Sequence, residues 1–245
     1  MSALIQFFNL ILYQPLLNAL ILLYNYLPGH DFGIAVIVLT VIIRLILHPS
    51  SVKAIKSQKA LSALQPKLKE IQKKFKNDRE KLARATMELY QKEKISPFSG
   101  CLPLLFQLPI LIALYRVFFF LKDFTPQTLQ ESLYSFVSYP DGINTVFLGI
   151  VDLAKPNIFL AILAGVFQFL QSKISIGKQE MKKGDFAKAI QSQMLYFFPV
   201  FTVFIVWKLG SIIGLYWIVS TLFSIGEHYL VNSKLENSFR KKEIG

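Results

Sequence analysis

The sequence predicts an all-α membrane protein: a core of five transmembrane helices, a cytoplasmic helical hairpin, and an N-terminal helix lying in the membrane interface. Three observations predict it. Hydrophobic residues make up 53% of the 245 residues and charged residues 17%, too little charge to cover a soluble surface. Several apolar runs have the roughly 17–25 residues that a bilayer-crossing helix needs. The basic excess, 27 Lys+Arg against 15 Asp+Glu for a net charge of +12, is gathered into alternate connecting segments, as cytoplasmic loops of a multi-pass protein require.

Residues 1–28 are apolar and uncharged, with Gln6, Asn9, Gln14, Asn18 and Asn25 spread through them and Pro15 in the middle. An interfacial amphipathic helix fits this stretch, with a sixth span as the competing reading. No cleavable signal peptide is expected, since the first charged residue is Asp31 and no basic n-region precedes it. No Arg-rich, Ser-rich transit peptide is visible either, which points to a bacterial plasma membrane rather than an organelle. The first span is 29–48.

The segment 49–98 follows, with thirteen basic residues from Lys53 to Lys94 against five acids. Leu61, Leu64, Leu68, Ile71 and Phe75 repeat at alternating spacings of three and four, a coiled-coil seam. Asn77, with Glu80 three residues on, reads as the N-cap of a second helix, whose seam is Leu82, Ala85 and Leu89. A basic helical hairpin results.

The remaining spans are 99–121, 157–173, 191–209 and 210–231, the middle two of these four being short. The loop 122–156 has only Lys122 and Lys155 against four acids, so it belongs outside. The loop 174–190 and the tail 232–245 are basic, so they belong inside. The N-terminus is then outside and the C-terminus cytoplasmic.

Polar residues within the spans carry the functional information, because hydrocarbon penalises them. Thr40 and Arg44 are four apart and share a face of the first span. Gln107 lies near the cytoplasmic end of the second. Gln168, Gln171, Ser172 and Ser175 line one face of the third, and Trp217, Ser220, Thr221 and Ser224 one face of the fifth. With the topology above, this polarity is biased to the cytoplasmic side, while Phe118, Phe119 and Phe120 occupy the outer part of the second span. A full-length pore needs polarity throughout. Polarity on one side predicts a cavity open to the cytoplasm and shut outside. Blander readings stay open here. Arg44 sits only about 6 Å along the helix from His48–Pro49 and can snorkel to the interface. Gln107, Gln168 and the hydroxyls can be interhelical packing bonds, Trp217 a packing aromatic, and Arg116 an outer-interface anchor.

Catalysis finds no support. Cys101 is the sole cysteine, and His30 and His48 lie at or near span ends. Glu227–His228 has no metal-binding HExxH context, and no Gly-rich phosphate loop occurs. No catalytic residue, metal or cofactor is expected.

Four stretches are specific. Val41-Ile-Ile-Arg-Leu-Ile-Leu-His-Pro49 resembles the first core span of the YidC-type membrane protein insertases. Ser96-Pro-Phe-Ser-Gly-Cys-Leu-Pro-Leu-Leu-Phe-Gln-Leu-Pro-Ile110 is similar to that family's second-span signature. Phe198-Pro-Val200 and Leu215-Tyr-Trp-Ile-Val-Ser220 resemble its fourth and fifth spans. The resemblance runs from about residue 10 to the tail, in a short form without a large periplasmic domain. It implies a hydrophilic groove open to cytoplasm and lipid, with the groove arginine at Arg44, its glutamine at Gln107, its aromatic at Trp217 and a small polar residue at Thr40. Gln168, Ser220, Thr221 and Ser224 complete the expected substrate-binding groove. Ser220-Thr221 stands where many relatives have Ser-Asn, and the basic tail is short for strong ribosome docking. Nascent membrane proteins and the lipid bilayer are the implied partners, the ribosome and a Sec-type translocon are further candidates, and no sequence-specific nucleic-acid recognition is expected. The implied activity is insertion of membrane proteins without nucleotide hydrolysis. The rivals are a small-solute (anion) transporter or channel, and a structural assembly factor whose polar residues only join helices.

Overall fold

In hydrocarbon every backbone N–H must find its carbonyl within the segment, so the apolar runs fold as helices. A computed structural model describes residues 3–76, 78–94, 96, 102–122, 126–140, 142–176 and 192–244. Asn77, Cys101, residues 97–100 of the second-span motif and residues 177–191 of the basic loop lie outside the described residues.

The described elements are α1 (Ala3–Phe8), a π-helical turn (Asn9–Tyr13), α2 (Gln14–Tyr26), α3 (Phe32–Ala63), α4 (Gln65–Lys74), α5 (Arg79–Lys92), α6 (Leu102–Lys122) and α7 (Pro126–Ser132). A two-stranded antiparallel ribbon follows, β1 (Val146–Phe147) and β2 (Val151–Asp152), with Val146 opposite Asp152. Then come α8 (Ile158–Ile176), a second π-helical turn (Gln193–Phe197), α9 (Phe198–Leu209) and α10 (Ser211–Ile244). The protein is mainly helical. The stretch Ile5–Tyr26 and the helices α3 and α8 are long and apolar enough to cross a membrane, and the apolar helical stretches Gln107–Phe119 and Gln193–Leu209 are shorter.

The long helices alternate in direction. The start of α3, the end of α6, the start of α8 and the α9–α10 turn meet at one end, here the loop end. There Asp31 caps α3, accepting from the backbone N–H of Gly33 (2.7 Å) and of Ile34 (3.2 Å), and its second oxygen accepts from Leu148 N–H at 2.7 Å. One buried carboxylate thus satisfies two orphan helix donors and ties α3 to the β-ribbon. The reversal between α9 and α10 takes a single residue, Gly210, at φ +113°, a conformation that a side chain would strain. Ser211, fully buried, donates to the Lys155 carbonyl and fixes α10 against the loop.

The sequence reading ends the first span at 48, but the helix continues through Pro49 to Ala63, so span and hairpin share one rod. Pro49 has no N–H, which leaves the Leu45 carbonyl without its usual helical donor. Of the expected seam, Leu64 and Leu68 are buried, and an ion pair of 2.5 Å joins Lys67 on α4 to Glu93 just past α5. The N-cap of α5 is Asp78, whose carboxylate accepts from Lys81 N–H at 3.0 Å. The sequence spacing assigns that role to Asn77. Asp78 is one residue nearer the helix, so its carboxylate reaches the third helical N–H, the donor that a capping side chain satisfies.

The core is an apolar cluster joining α2 (Leu17, Leu20, Ile21), α3 (Phe32, Ala35, Val36), α6 (Leu114, Val117) and α10 (Ile213, Tyr216). The N-terminal helix also holds the loop by its polar residues. Asn18 donates to the Ser132 carbonyl (3.2 Å) and accepts from Tyr134 N–H (2.6 Å), and Asn25 donates to the Ser138 carbonyl (2.7 Å). Tyr24 bridges the Gly142 carbonyl (3.1 Å) and Asn144 N–H (2.8 Å). Phe7, Leu10 and Ile11 on the same helix are exposed.

Candidate functional site

Arg44 lies about 18 Å along α3 from Phe32. Its side chain is turned into the bundle rather than along its own helix. Nε donates to Ser220 Oγ on α10 at 2.9 Å, Nη2 also contacts that hydroxyl, and Nη2 donates to Gln107 Oε1 on α6 at 3.2 Å. Gln107 then donates through Nε2 to the Tyr216 hydroxyl at 2.5 Å. Three helices therefore converge on one half-buried guanidinium. The sequence explains why: Tyr216 and Ser220 are one turn apart, so both sit on the face of α10 that meets α3 and α6.

A second chain of bonds joins α10 to α8. Trp217 Nε1 donates to Gln168 Oε1 at 2.8 Å, and Gln168 Nε2 donates to Ser172 Oγ at 3.4 Å. Arg44, Gln107, Gln168, Trp217 and Ser220 are thus all engaged across helices. Thr40 and Thr221 are buried but bond to their own helices: Thr40 to the Val36 carbonyl at 2.6 Å, Thr221 to the Trp217 and Ile218 carbonyls at 2.9 Å each. Ser224 is buried one turn beyond Ser220.

Two participants were not singled out from sequence. Tyr216 is the acceptor that orients Gln107, and its signal was the four-residue spacing to Ser220. His48 is one turn beyond Arg44, and its ring Nδ1 meets Glu227 Oε1 at 2.5 Å. Glu227 and His228 look paired in sequence, yet they part: Glu227 faces α3, while His228 Nε2 meets Ser175 Oγ on α8 at 3.1 Å. Arg116 also has partners on the N-terminal helix. It donates to Asn9 Oδ1 at 2.6 Å and lies over the rings of Tyr13 (4.8 Å) and Phe8 (5.7 Å), clamping the π-helical turn.

The electrostatics centre on Arg44. None of the ion pairs among the described residues involves it. Its direct hydrogen-bond partners, Ser220 and Gln107, are neutral. Neutral hydrogen bonds hold the guanidinium in place and leave its charge uncompensated at contact distance, so the site can attract an anionic group. Among the described residues no cluster of His, Cys, Asp or Glu could hold a metal. A pocket of about 180 Å³ at the loop end, with Phe32, Phe118, Leu153 and Lys208 in its wall, includes none of the predicted site residues.

The 60Kd inner membrane protein family model matches residues 22–238. A relative from Clostridium tetani, named membrane protein insertase YidC, is 37% identical over 211 residues, which is 85% of this chain and 84% of that protein. One from Oceanobacillus iheyensis with the same name is 34% identical over 212 residues, covering 84% of this chain and 77% of that protein. A longer relative of that name from Geobacter sulfurreducens is 33% identical over 230 residues, 93% of this chain but 38% of its own length. The match takes in α3, α6, α8, α9 and nearly all of α10, with every residue of the two polar networks: the chain belongs to the 60Kd inner membrane protein family.

Proposed function

We propose that this protein inserts membrane proteins into the lipid bilayer of a bacterial inner membrane, using Arg44 to receive an acidic group on the segment that must cross. The observation that carries the reading is a guanidinium among three helices, oriented by neutral partners and free of a contact ion pair. Membership of the 60Kd inner membrane protein family and relatives named as insertases support it; they give no support to an anion transporter.

The physical task is to move a short polar segment past hydrocarbon while its apolar neighbour enters lipid. One acidic group at the bilayer centre costs about 2.5–3.5 kcal/mol on insertion scales. An ion pair at 4 Å in an effective dielectric near 20 contributes roughly 4 kcal/mol. Arg44 therefore offsets the cost during passage. In water the same pair is worth roughly 1 kcal/mol, so the segment is released on the far side. Burial of the substrate's apolar span supplies the net drive, and no nucleotide is required.

This reading places the hairpin, α4 and α5 included, and the tail in the cytoplasm, with five spans and the N-terminus outside. In this reading residues 1–28 lie in the outer interface, where Asn9 bonds Arg116, nine residues or about 14 Å along α6 from Gln107. Exposed Phe7, Leu10 and Ile11 then face lipid. The polar side chains around Arg44, Gln107, Gln168 and Trp217 line a groove reached from the cytoplasm. The basic hairpin serves recruitment of substrate, ribosome or anionic lipid, and a Sec-type translocon is a candidate partner.

The test is insertion in proteoliposomes of a substrate with one acid in its translocated tail. Arg44→Ala lowers the rate at least tenfold for that tail and far less for the same tail with Gln in place of the acid. Equal rates for wild type and Arg44→Ala would refute the groove mechanism.

A further inference from the structure

Toward the hairpin end from Arg44 the two facing helices present a second polar step. Arg44 and His48 are one turn apart on α3, about 6 Å, and Ser220 and Glu227 are two turns apart on α10, about 10 Å. The upper step is Arg44–Ser220 and the lower is His48–Glu227. The lower step is unequal in burial: the Glu227 side chain is 4% exposed and the His48 side chain 44%. A half-exposed imidazole thus covers a buried carboxylate. It is a weak counter-ion, because an imidazole carries charge only when protonated. The neighbouring His228 is likewise charged only when protonated, and the Arg44 hydrogen bonds run to Ser220 and Gln107, not to Glu227. A buried carboxylate in a membrane protein without a full cation at contact marks a place for one.

We infer that Glu227 forms a second subsite of the groove, receiving a lysine or arginine of the substrate after that side chain displaces His48. This rests on the reading of Arg44 as the site for the substrate's acid and names the substrate class more closely. The favoured polar segment carries an acid and, on its cytoplasmic side, a base. The 6–10 Å between the two steps corresponds to about two to three residues of extended chain or four to seven of helix. Such a segment enters as a compensated pair, with each charge meeting its opposite.

Proteoliposome insertion tests this with four tails: acid alone, acid plus Lys three residues toward the cytoplasmic side, acid plus Gln there, and acid plus Lys three residues toward the leading end. In the wild-type protein the cytoplasmic-side Lys tail inserts on the order of fivefold faster than its Gln counterpart, and the leading-end Lys gives no such gain. Glu227→Gln brings that ratio to about one. His48→Ala, at a half-exposed position that tolerates truncation, uncovers Glu227 and keeps or raises the ratio. If both variants instead slow all four tails by the same factor, the pair is only a structural rung and the subsite is wrong. The acid-alone tail separates the two readings. If Arg44→Ala leaves it unaffected, the groove reading fails; if it is affected while the Lys/Gln ratio ignores Glu227→Gln, the subsite alone fails.

Discussion

Trp217 and Gln168 join α10 to α8 through one hydrogen bond, indole N–H to amide oxygen at 2.8 Å. Tyr216, one residue earlier and about 100° around the helix, bonds Gln107 on α6 instead. A single turn of α10 therefore sets the rotation of two neighbouring helices, and Arg44 on a third is fixed by the residue one turn further, Ser220.

Trp217→Phe keeps an aromatic in place but removes the donor. The expected loss is about 0.6 kcal/mol, the average for side-chain hydrogen bonds within membranes. A double-mutant cycle with Gln168→Met, read by unfolding in detergent or bicelles, should return a coupling of that size. No coupling would mean that the bond contributes nothing beyond packing.

Arg44→Lys preserves the charge but not the fork. Lysine's three N–H donors radiate from a single nitrogen, whereas Arg44 reaches Ser220 from Nε and Gln107 from Nη2 across a planar fork, so the ammonium fits the two helices less well. Insertion of an acidic-tail substrate should fall severalfold, between wild type and Arg44→Ala. Tyr216→Phe tests the support behind it: with the phenol gone, Gln107 loses its acceptor, and the rate should drop about two- to fivefold with the tail's dependence on its acid retained.

The mainly helical, apolar character of the chain and the lone charge of Arg44 were legible because hydropathy and charge are properties of the chain itself. Partners were not, because they depend on how each helix is rotated against its neighbours. Glu227 and His228 illustrate this. Side by side they suggest a joint site, but a helix turns them to different neighbours, Glu227 to His48 and His228 to Ser175. The same applies to the N-terminal helix. Asn9, Asn18 and Asn25 look like scattered polar residues until the fold gives Arg116 to the first and loop backbone to the other two. Thr40 and Thr221 share helix faces with the expected groove residues, while their hydroxyls bond back to their own helices, a local option that spacing does not reveal.

Asp152 makes the β-ribbon sensitive to acid. Its carboxylate pairs with Lys155 at 3.0 Å and accepts from Thr145 Oγ1 (2.8 Å) and Ala154 N–H (3.0 Å). Those contacts, Lys155 first and Thr145 second, hold its pKa below the usual 3.8. A depressed folded-state value means that the contribution is fully present above the unfolded value and lost as pH falls through the folded one. The thermal stability of wild type should exceed that of Asp152→Asn by a constant amount at pH 5–7, and the difference should shrink as pH falls below the ordinary carboxylate value and through the lower folded-state one.

Arg116 predicts how the N-terminal helix is held. Its guanidinium donates to Asn9 and lies over Tyr13 and Phe8, so one side chain grips the π-helical turn from three sides. A stacked arginine contributes about 1–2 kcal/mol where it is partly desolvated. The residues after the turn have separate anchors in Asn18, Tyr24 and Asn25. Arg116→Gln should therefore loosen residues 5–13 and spare 17–26. Hydrogen exchange in nanodiscs should show faster exchange confined to the first segment. Exchange rising equally across both would mean that the helix is held as one unit and that Arg116 is not its separate clamp. Asn9→Ala should give a smaller effect of the same kind, since the aromatic contacts to Tyr13 and Phe8 remain.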